Sequence, residues 1–402
     1  MTRPPGRRRL PFLLAATATL GPFSIDTYMP SFPAIGAALA ATPLQVQQTL
    51  TSYLLAFGAM MLFHGPLSDA HGRRIVVLWS LVLYALASLA CAFAPDIAWL
   101  LTGRALQGLS AGAGLVVGRA IIRDVYSGAE AQRLMAATTM LFGAAPAVAP
   151  VIGGWLHTGF GWRSIFVFLA LFGAALYLFC LRYLPETHPV TAREPFHPKP
   201  LFANYRKVGS NPRMVLLSLA IACNFAGFFL YIASAPVIVL EQLHLTEHQF
   251  GWLFIPAVSG VIFGAYLSGR FAEQVSPRTT VRYGYLMLFA GAGLNLGYNA
   301  LTLPALPWAV VWIALYGMGM ALAMPSITLL NLELYPRHRG MVSSLQGVAH
   351  TLASALAAGV LSPLLSHHPL ALAWGMAGCL MLGLLCWNGY LFTLRGHANE
   401  ST

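Results

Sequence analysis

Charge is what this chain has least of. Asp, Glu, Lys and Arg make up 9% of its 402 residues, where a soluble protein carries roughly a quarter. Hydrophobic residues make up 57%, so a water-soluble globule is excluded and a membrane protein crossing the bilayer many times is implied. Cysteine is sparse as well. Cys91, Cys180, Cys223, Cys379 and Cys386 all fall in apolar runs and none forms a CxxC pair, so they read as small packing residues. No G-x-x-x-x-G-K-[ST] loop occurs, which removes ATP as the obvious energy source. No polar stretch is long enough for an enzyme or sensor domain outside the membrane.

What is present is a series of apolar segments. About twelve candidates lie near 10–30, 46–64, 75–94, 98–119, 134–156, 163–184, 214–239, 250–269, 281–301, 308–330, 341–363 and 370–394. Each is long enough to cross a core of roughly 30 Å as a helix, the only single-segment structure that satisfies its backbone there. With the N-terminus placed in the cytoplasm, every Lys and Arg except Arg104 and Arg163 falls inside. That asymmetry places both termini in the cytoplasm. It also accounts for the net charge of +11 without nucleic acid, and a basic inner face favours contact with anionic lipid. Arg7, Arg8 and Arg9 before an apolar run resemble a signal peptide, but the run exceeds a signal core and contains Asp26, so an uncleaved first span is expected.

A proline-rich, charged break at 185–212 divides the spans six and six. The expected organisation is a bundle at 1–184, a cytoplasmic linker at 185–212 and a second bundle at 213–402, an all-α fold of two pseudo-symmetric halves. Weak internal echoes agree. Leu67, Ser68 and Asp69 correspond to Leu267, Ser268 and Gly269, and Asp124 to Tyr126 correspond to Glu333 to Tyr335.

Two charges lie inside spans. Asp26 is 17 residues beyond Arg9 and Arg104 is 15 residues from Arg119, so both sit roughly 22–25 Å from the inner face. An intramembrane charge is a functional hypothesis by default. A carboxyl subject to the opposed influences of desolvation and a guanidinium can bind and release protons; the alternative is a static ion pair. The loop after span 2 carries Gly65, Asp69, Gly72, Arg73 and Arg74. Its glycines allow tight turns, Asp69 can cap a helix or meet a cation, and Arg73 and Arg74 can reach Asp124 past span 4. Such a cluster can latch one conformation. In span 5, Pro146 and Pro150 each remove a backbone donor, and Gly153 and Gly154 allow close helix approach. Tyr28, Tyr53, Phe57, Asn224 and Phe228 are candidate substrate contacts, with core or lipid packing as the alternative for each. His350 reads as a packing histidine or a proton relay. The run Gly108, Ser110, Gly112 matches G-x-S-x-G, but it lies inside a span and reads as helix packing.

Gly65, Leu67, Asp69, Gly72, Arg73 and Arg74 together resemble the signature loop of the major facilitator superfamily. Arg104, Gln107 and Gly108 resemble its span-4 arginine motif, which the resemblance associates with proton coupling. Pro146, Pro150, Gly153 and Gly154 resemble its antiporter motif, with Ala149 where a glycine usually stands. Ile25 to Pro30, Phe32 to Ile35, and Ala149 to Trp155 are similar to the bicyclomycin and chloramphenicol resistance subfamily. The resemblance covers the whole chain, with its specific motifs in the first half. It implies a proton-coupled exporter of small, moderately apolar antibiotics, working by alternating access in the bacterial cytoplasmic membrane. The expected partners are drug, protons and membrane lipid, with no nucleic acid. The chain is expected to be a monomer with no catalytic residue, metal or cofactor, the proton gradient supplying the energy. A transporter of one metabolite, such as a sugar, nucleobase or amino-acid derivative, shares the same fold and charges.

Overall fold

The computed structural model describes residues 9–193, 196–271, 274–336 and 338–400, without the side chains of 129, 132, 136, 192 and 395–400. Arg3, Arg7, Arg8, Arg337 and the side chain of Arg395, counted above among the inside cations, lie outside the described residues. The described residues contain helices and no strand. In the first half these are α1 (Leu10–Ala18), α2 (Leu20–Asp26), α3 (Phe32–Ala38), α4 (Pro43–Met61), α5 (His64–His71), α6 (Arg73–Ala92), α7 (Ile97–Ala111), α8 (Ala113–Val125), α9 (Gly128–Phe160) and α10 (Arg163–Tyr183). Then follow α11 (Pro198–Gly209), α12 (Pro212–Ala233), α13 (Gly251–Phe271), α14 (Pro277–Leu301), α15 (Trp308–Glu333), α16 (Arg339–Leu356), α17 (Ser362–Leu365) and α18 (Pro369–Glu400).

Helix starts follow local chemistry. Thr42 and Gln45 form a reciprocal capping box around the first turn of α4, which begins at Pro43. Asn211 and Ser276 cap α12 and α14, each followed by a proline whose missing N–H costs nothing at that position. Asp96 caps α7 through the Trp99 amide at 2.8 Å.

Among the described residues, nine helical stretches are long and apolar enough to cross a bilayer, and α4 with α5, bent by 48°, makes a tenth. The two other expected spans differ for visible reasons. The first is broken at Thr19 between α1 and α2, one turn ahead of Pro22, which has no N–H for the Ala18 carbonyl. The ninth, α14, has the length at 25 residues, but Arg278, Arg282, Asn295 and Asn299 dilute its apolar character. The fourth expected span is α7 and α8 in succession, and α9 runs 33 residues through both prolines.

Contacts divide the chain into two units. The first takes in residues up to His197 together with Glu247–Gly251; the second takes in Pro198–Thr246 and the chain from Trp252. The segment read as a linker therefore carries a helix, α11, that belongs to the second unit. Within the first unit α4 packs along α7, and α6 packs on both α7 and α10. Within the second, α14 packs along α15, and α12 packs against α15, α16 and α18. Large apolar side chains such as Trp79, Trp155, Leu178, Leu286 and Phe392 are exposed. That surface is adverse in water and ordinary in lipid, where apolar tails surround it.

Candidate functional site

Arg104 is fully buried on α7, yet no carboxylate meets it among the described residues. Its guanidinium lies between two tyrosine rings, 4.3 Å from the centre of Tyr28 and 4.4 Å from that of Tyr53. A desolvated cation over an aromatic face is stabilised by about 2 kcal/mol or more. One nitrogen donates to Gln107 Oε1 at 2.7 Å, while Nε and Nη2 have no acceptor. Gln107 donates in turn to Ser88 on α6 at 2.7 Å, and Ser88 donates to the Tyr84 carbonyl. Tyr84 reaches Ser24 on α2 at 2.6 Å. A polar path thus runs from Arg104 through α6 to the helix that ends at Asp26. Tyr28 is fixed by Thr49 at 3.1 Å, and Tyr53 stacks with Phe57 at 5.9 Å. Tyr28, Tyr53 and Phe57 therefore gather in the first unit, around or beside Arg104.

Asp26 is the last residue of α2 and is buried, with its Oδ1 unpartnered. No ion pair joins it to Arg104 among the described residues. Both ionisable groups thus sit in the same unit unpaired, an arrangement that costs free energy whenever both are charged. What closes over the Asp26 segment is α9. A Cβ on Gly153 would collide with the carbonyl of Thr27, and one on Gly154 with the carbonyl of Glu247. Gly153 is therefore the contact that lets the span-5 helix lie directly on the backbone beside Asp26. Of the two prolines in the same helix, Pro150 is buried and Pro146, one turn earlier, is half-buried.

The loop between α5 and α6 forms an ion-pair cluster. Arg73, nearly buried, pairs with Asp69 one turn earlier and with Asp124 at the end of α8, at 3.2 Å. It also donates to the Ser68 hydroxyl at 2.6 Å, which itself donates to the Gly65 carbonyl at 2.8 Å. Arg74 turns away and donates to the Leu181 carbonyl at 2.7 Å. Asp69 thus meets a cation and caps no helix. Sequence reasoning missed Glu186. Its carboxylate accepts from the Arg73 amide at 2.9 Å and the Arg74 amide at 3.3 Å, sitting on the N-terminus of α6 where the helix dipole favours an anion. Gly72 makes this possible: its φ is +101°, and a Cβ there would strike Glu186 and Arg193. Thr187 donates to Asp124 at 3.0 Å, tying the chain after α10 into the same cluster. With so few acids in the chain, one lying just past the end of α10 was the available signal.

The buried side-chain links described in the second unit join neutral groups. Asn224 donates to Tyr285 at 3.0 Å, and its carbonyl accepts from Tyr316 at 3.0 Å. Phe228 is buried 6.2 Å from Phe225, and Phe225 lies against His350 with ring centres 3.9 Å apart. Asn331 donates to Ser218 at 3.0 Å and Gln346 at 3.1 Å. Gly269, the counterpart of Asp69, has open space around it. The G-x-S-x-G run packs as helix: Gly108 lies against the Tyr53 backbone.

The sequence profile described as Major Facilitator Superfamily matches residues 14–358 and 217–400. An uncharacterized MFS-type transporter, YdgK of Bacillus subtilis, is 32% identical over 352 residues, 86% of this chain and 87% of that one. A bicyclomycin resistance protein homolog of Haemophilus influenzae is 26% identical over 95% of both chains. A chloramphenicol resistance protein of Pseudomonas aeruginosa is 30% identical over 78% of this chain and 75% of its own. Among solved structures, a bacterial homolog of the human lysosomal transporter Spinster, inward-facing and occupied, superposes with a TM-score of 0.74 at 18% identity over 98% of both chains. That likeness concerns the fold.

Proposed function

Because the chain belongs to the Major Facilitator Superfamily, and so is an integral membrane transporter and not an enzyme, we propose that it exports small, moderately apolar antibiotics in exchange for protons. On this reading it sits in the bacterial cytoplasmic membrane with both termini inside. It works by alternating access as a monomer, needs no cofactor or nucleic acid, and draws its energy from the proton gradient. Bicyclomycin and chloramphenicol, named for two of its relatives, are the first substrates to try.

The observation that carries the proposal is Asp26, a buried carboxyl with no ion pair among the described residues. A proton is the counter-charge such a group can take, and exchanging that proton for drug needs only that each ligand prefer a different state. Arg104, held between Tyr28 and Tyr53 with two nitrogens unused, is the cation that a deprotonated Asp26, or an electron-rich group on the drug, can engage. The Arg73 cluster, with Asp69 and Asp124, serves as the latch of one state. Gly153 passes a change at Asp26 to the long α9 helix.

The test uses inverted membrane vesicles carrying an imposed pH gradient. Addition of chloramphenicol or bicyclomycin should collapse the gradient with the wild-type chain and leave it intact with Asp26→Asn. Collapse with a sugar or nucleobase and silence across a broad antibiotic panel would replace the drug reading with the metabolite one. Equal collapse in the variant would remove Asp26 from the mechanism.

A further inference from the structure

Helix α11 lies just ahead of α12, a bilayer-crossing helix that begins at Pro212. Its two faces differ. Tyr205 and Val208 are buried, and Val208 joins a small core with Met214 and Val342 that Met341 and Leu345 extend. The opposite face carries Lys199, Phe202, Arg206 and Lys207, all exposed, and the helix contains no acid. Neither Arg206 nor Lys207 has an acidic partner among the described residues. Phe202, between Lys199 and Arg206 along the helix, is 53% exposed. A hollow of about 620 Å³ is lined by Phe202, Ala203, Arg206, Lys207 and Ser210. Lys207 also lines a second hollow of about 390 Å³ with Tyr335, His338 and Met341, at the start of α16.

We propose that this face of α11 is a headgroup site for an anionic phospholipid of the inner leaflet. Arg206 and Lys207 take the phosphodiester, and Phe202 sits among the glycerol and upper acyl carbons. Two cations without acidic partners, one turn beyond an exposed aromatic ring on a helix joined directly to a membrane span, match the chemistry of an interfacial amphipathic helix. With the headgroup bound, α11 is clamped on its outer face as Tyr205 and Val208 clamp it on its inner face. This site rests on the cytoplasmic placement of α11 in the transport reading, but not on proton exchange or on the drug substrate.

The test is native mass spectrometry of the full chain released from nanodiscs containing equal phosphatidylglycerol and phosphatidylcholine. The wild type should retain phosphatidylglycerol selectively. Removing both cations in the R206Q/K207Q variant should weaken retention about 30-fold, since each basic residue near an anionic leaflet contributes about 1 kcal/mol. Arg282→Gln, which removes an exposed cation on α14, should leave retention unchanged. Retention in the double variant equal to wild type, or an equal loss in Arg282→Gln, overturns the site. Displacement of the lipid by millimolar inorganic phosphate would assign it to free phosphate instead. A benzophenone side chain placed at position 202, which alters no charge, should cross-link to phosphatidylglycerol in preference to phosphatidylcholine; equal labelling of both contradicts the proposal.

Discussion

The two units carry comparable numbers of helices and opposite chemistry. The first buries Asp26 and Arg104 and ties α5, α6 and α8 together through Arg73, Asp69 and Asp124. The second joins its buried helix faces through amides, phenols and hydroxyls, namely Asn224 with Tyr285, Asn295 with Tyr231, and Asn331 with Ser218 and Gln346, while the part-buried Arg213 donates to the Thr393 carbonyl. Its one described ion pair, His367 with Glu241, is exposed. Neutral hydrogen bonds hold a helix bundle together at modest net strength, about 1 kcal/mol each, whether or not protons move. Buried unpaired charges are costly and make sense where a counter-charge comes and goes. Under the antiport proposal, energy coupling belongs to the first unit, and the second is its neutral counterpart.

The comparison can be broken by mutation, beginning with the strongest effect. Arg73→Gln leaves Asp69 and Asp124 without their shared cation and should destabilise the protein by about 3 kcal/mol, the lower end for breaking a buried pair because both acids are partly exposed. Thermal unfolding in detergent reads this directly; a melting temperature equal to wild type would show that the cluster is ornamental. Gly153→Ala drives a methyl group into the Thr27 carbonyl and should cost about 2 kcal/mol by overpacking, with transport lost alongside. Gly269→Ala in the second unit, where space is open, should be silent in both assays. Gln346→Ala removes one neutral link to Asn331 and should cost about 1 kcal/mol while antiport persists. Loss of proton coupling in that variant would end the division of labour between the halves. Asp69→Asn should slow turnover more than it weakens drug binding; a fall in affinity alone would remove the latch.

Much of this was legible from residue types. A charged residue inside an apolar run pointed to Asp26 and Arg104, which are both buried, and two glycines flanking Asp69 pointed to the segment that forms the Arg73 ion-pair cluster. The pairing within the cluster was not legible, because Arg73 and Arg74 are adjacent and only the direction of each on α6 decides which reaches Asp124. Glu186 was hidden for a related reason: its partners are backbone amides 113 and 112 residues earlier, which no side-chain pattern advertises. The tyrosine sandwich around Arg104 draws Tyr28 and Tyr53 from different segments, and composition cannot say that two rings flank one guanidinium. The break at Thr19 was readable in principle from Gly21 and Pro22, although a hydropathy run passes over it.

Proton release on drug binding tests the central claim most directly. Purified protein in weakly buffered detergent solution is mixed with saturating chloramphenicol and the pH change is recorded. The account predicts proton release from the wild type, the same release from Gln346→Ala, and none from Asp26→Asn at equal drug occupancy. Undiminished release from Asp26→Asn would place the exchanged proton elsewhere and contradict the account.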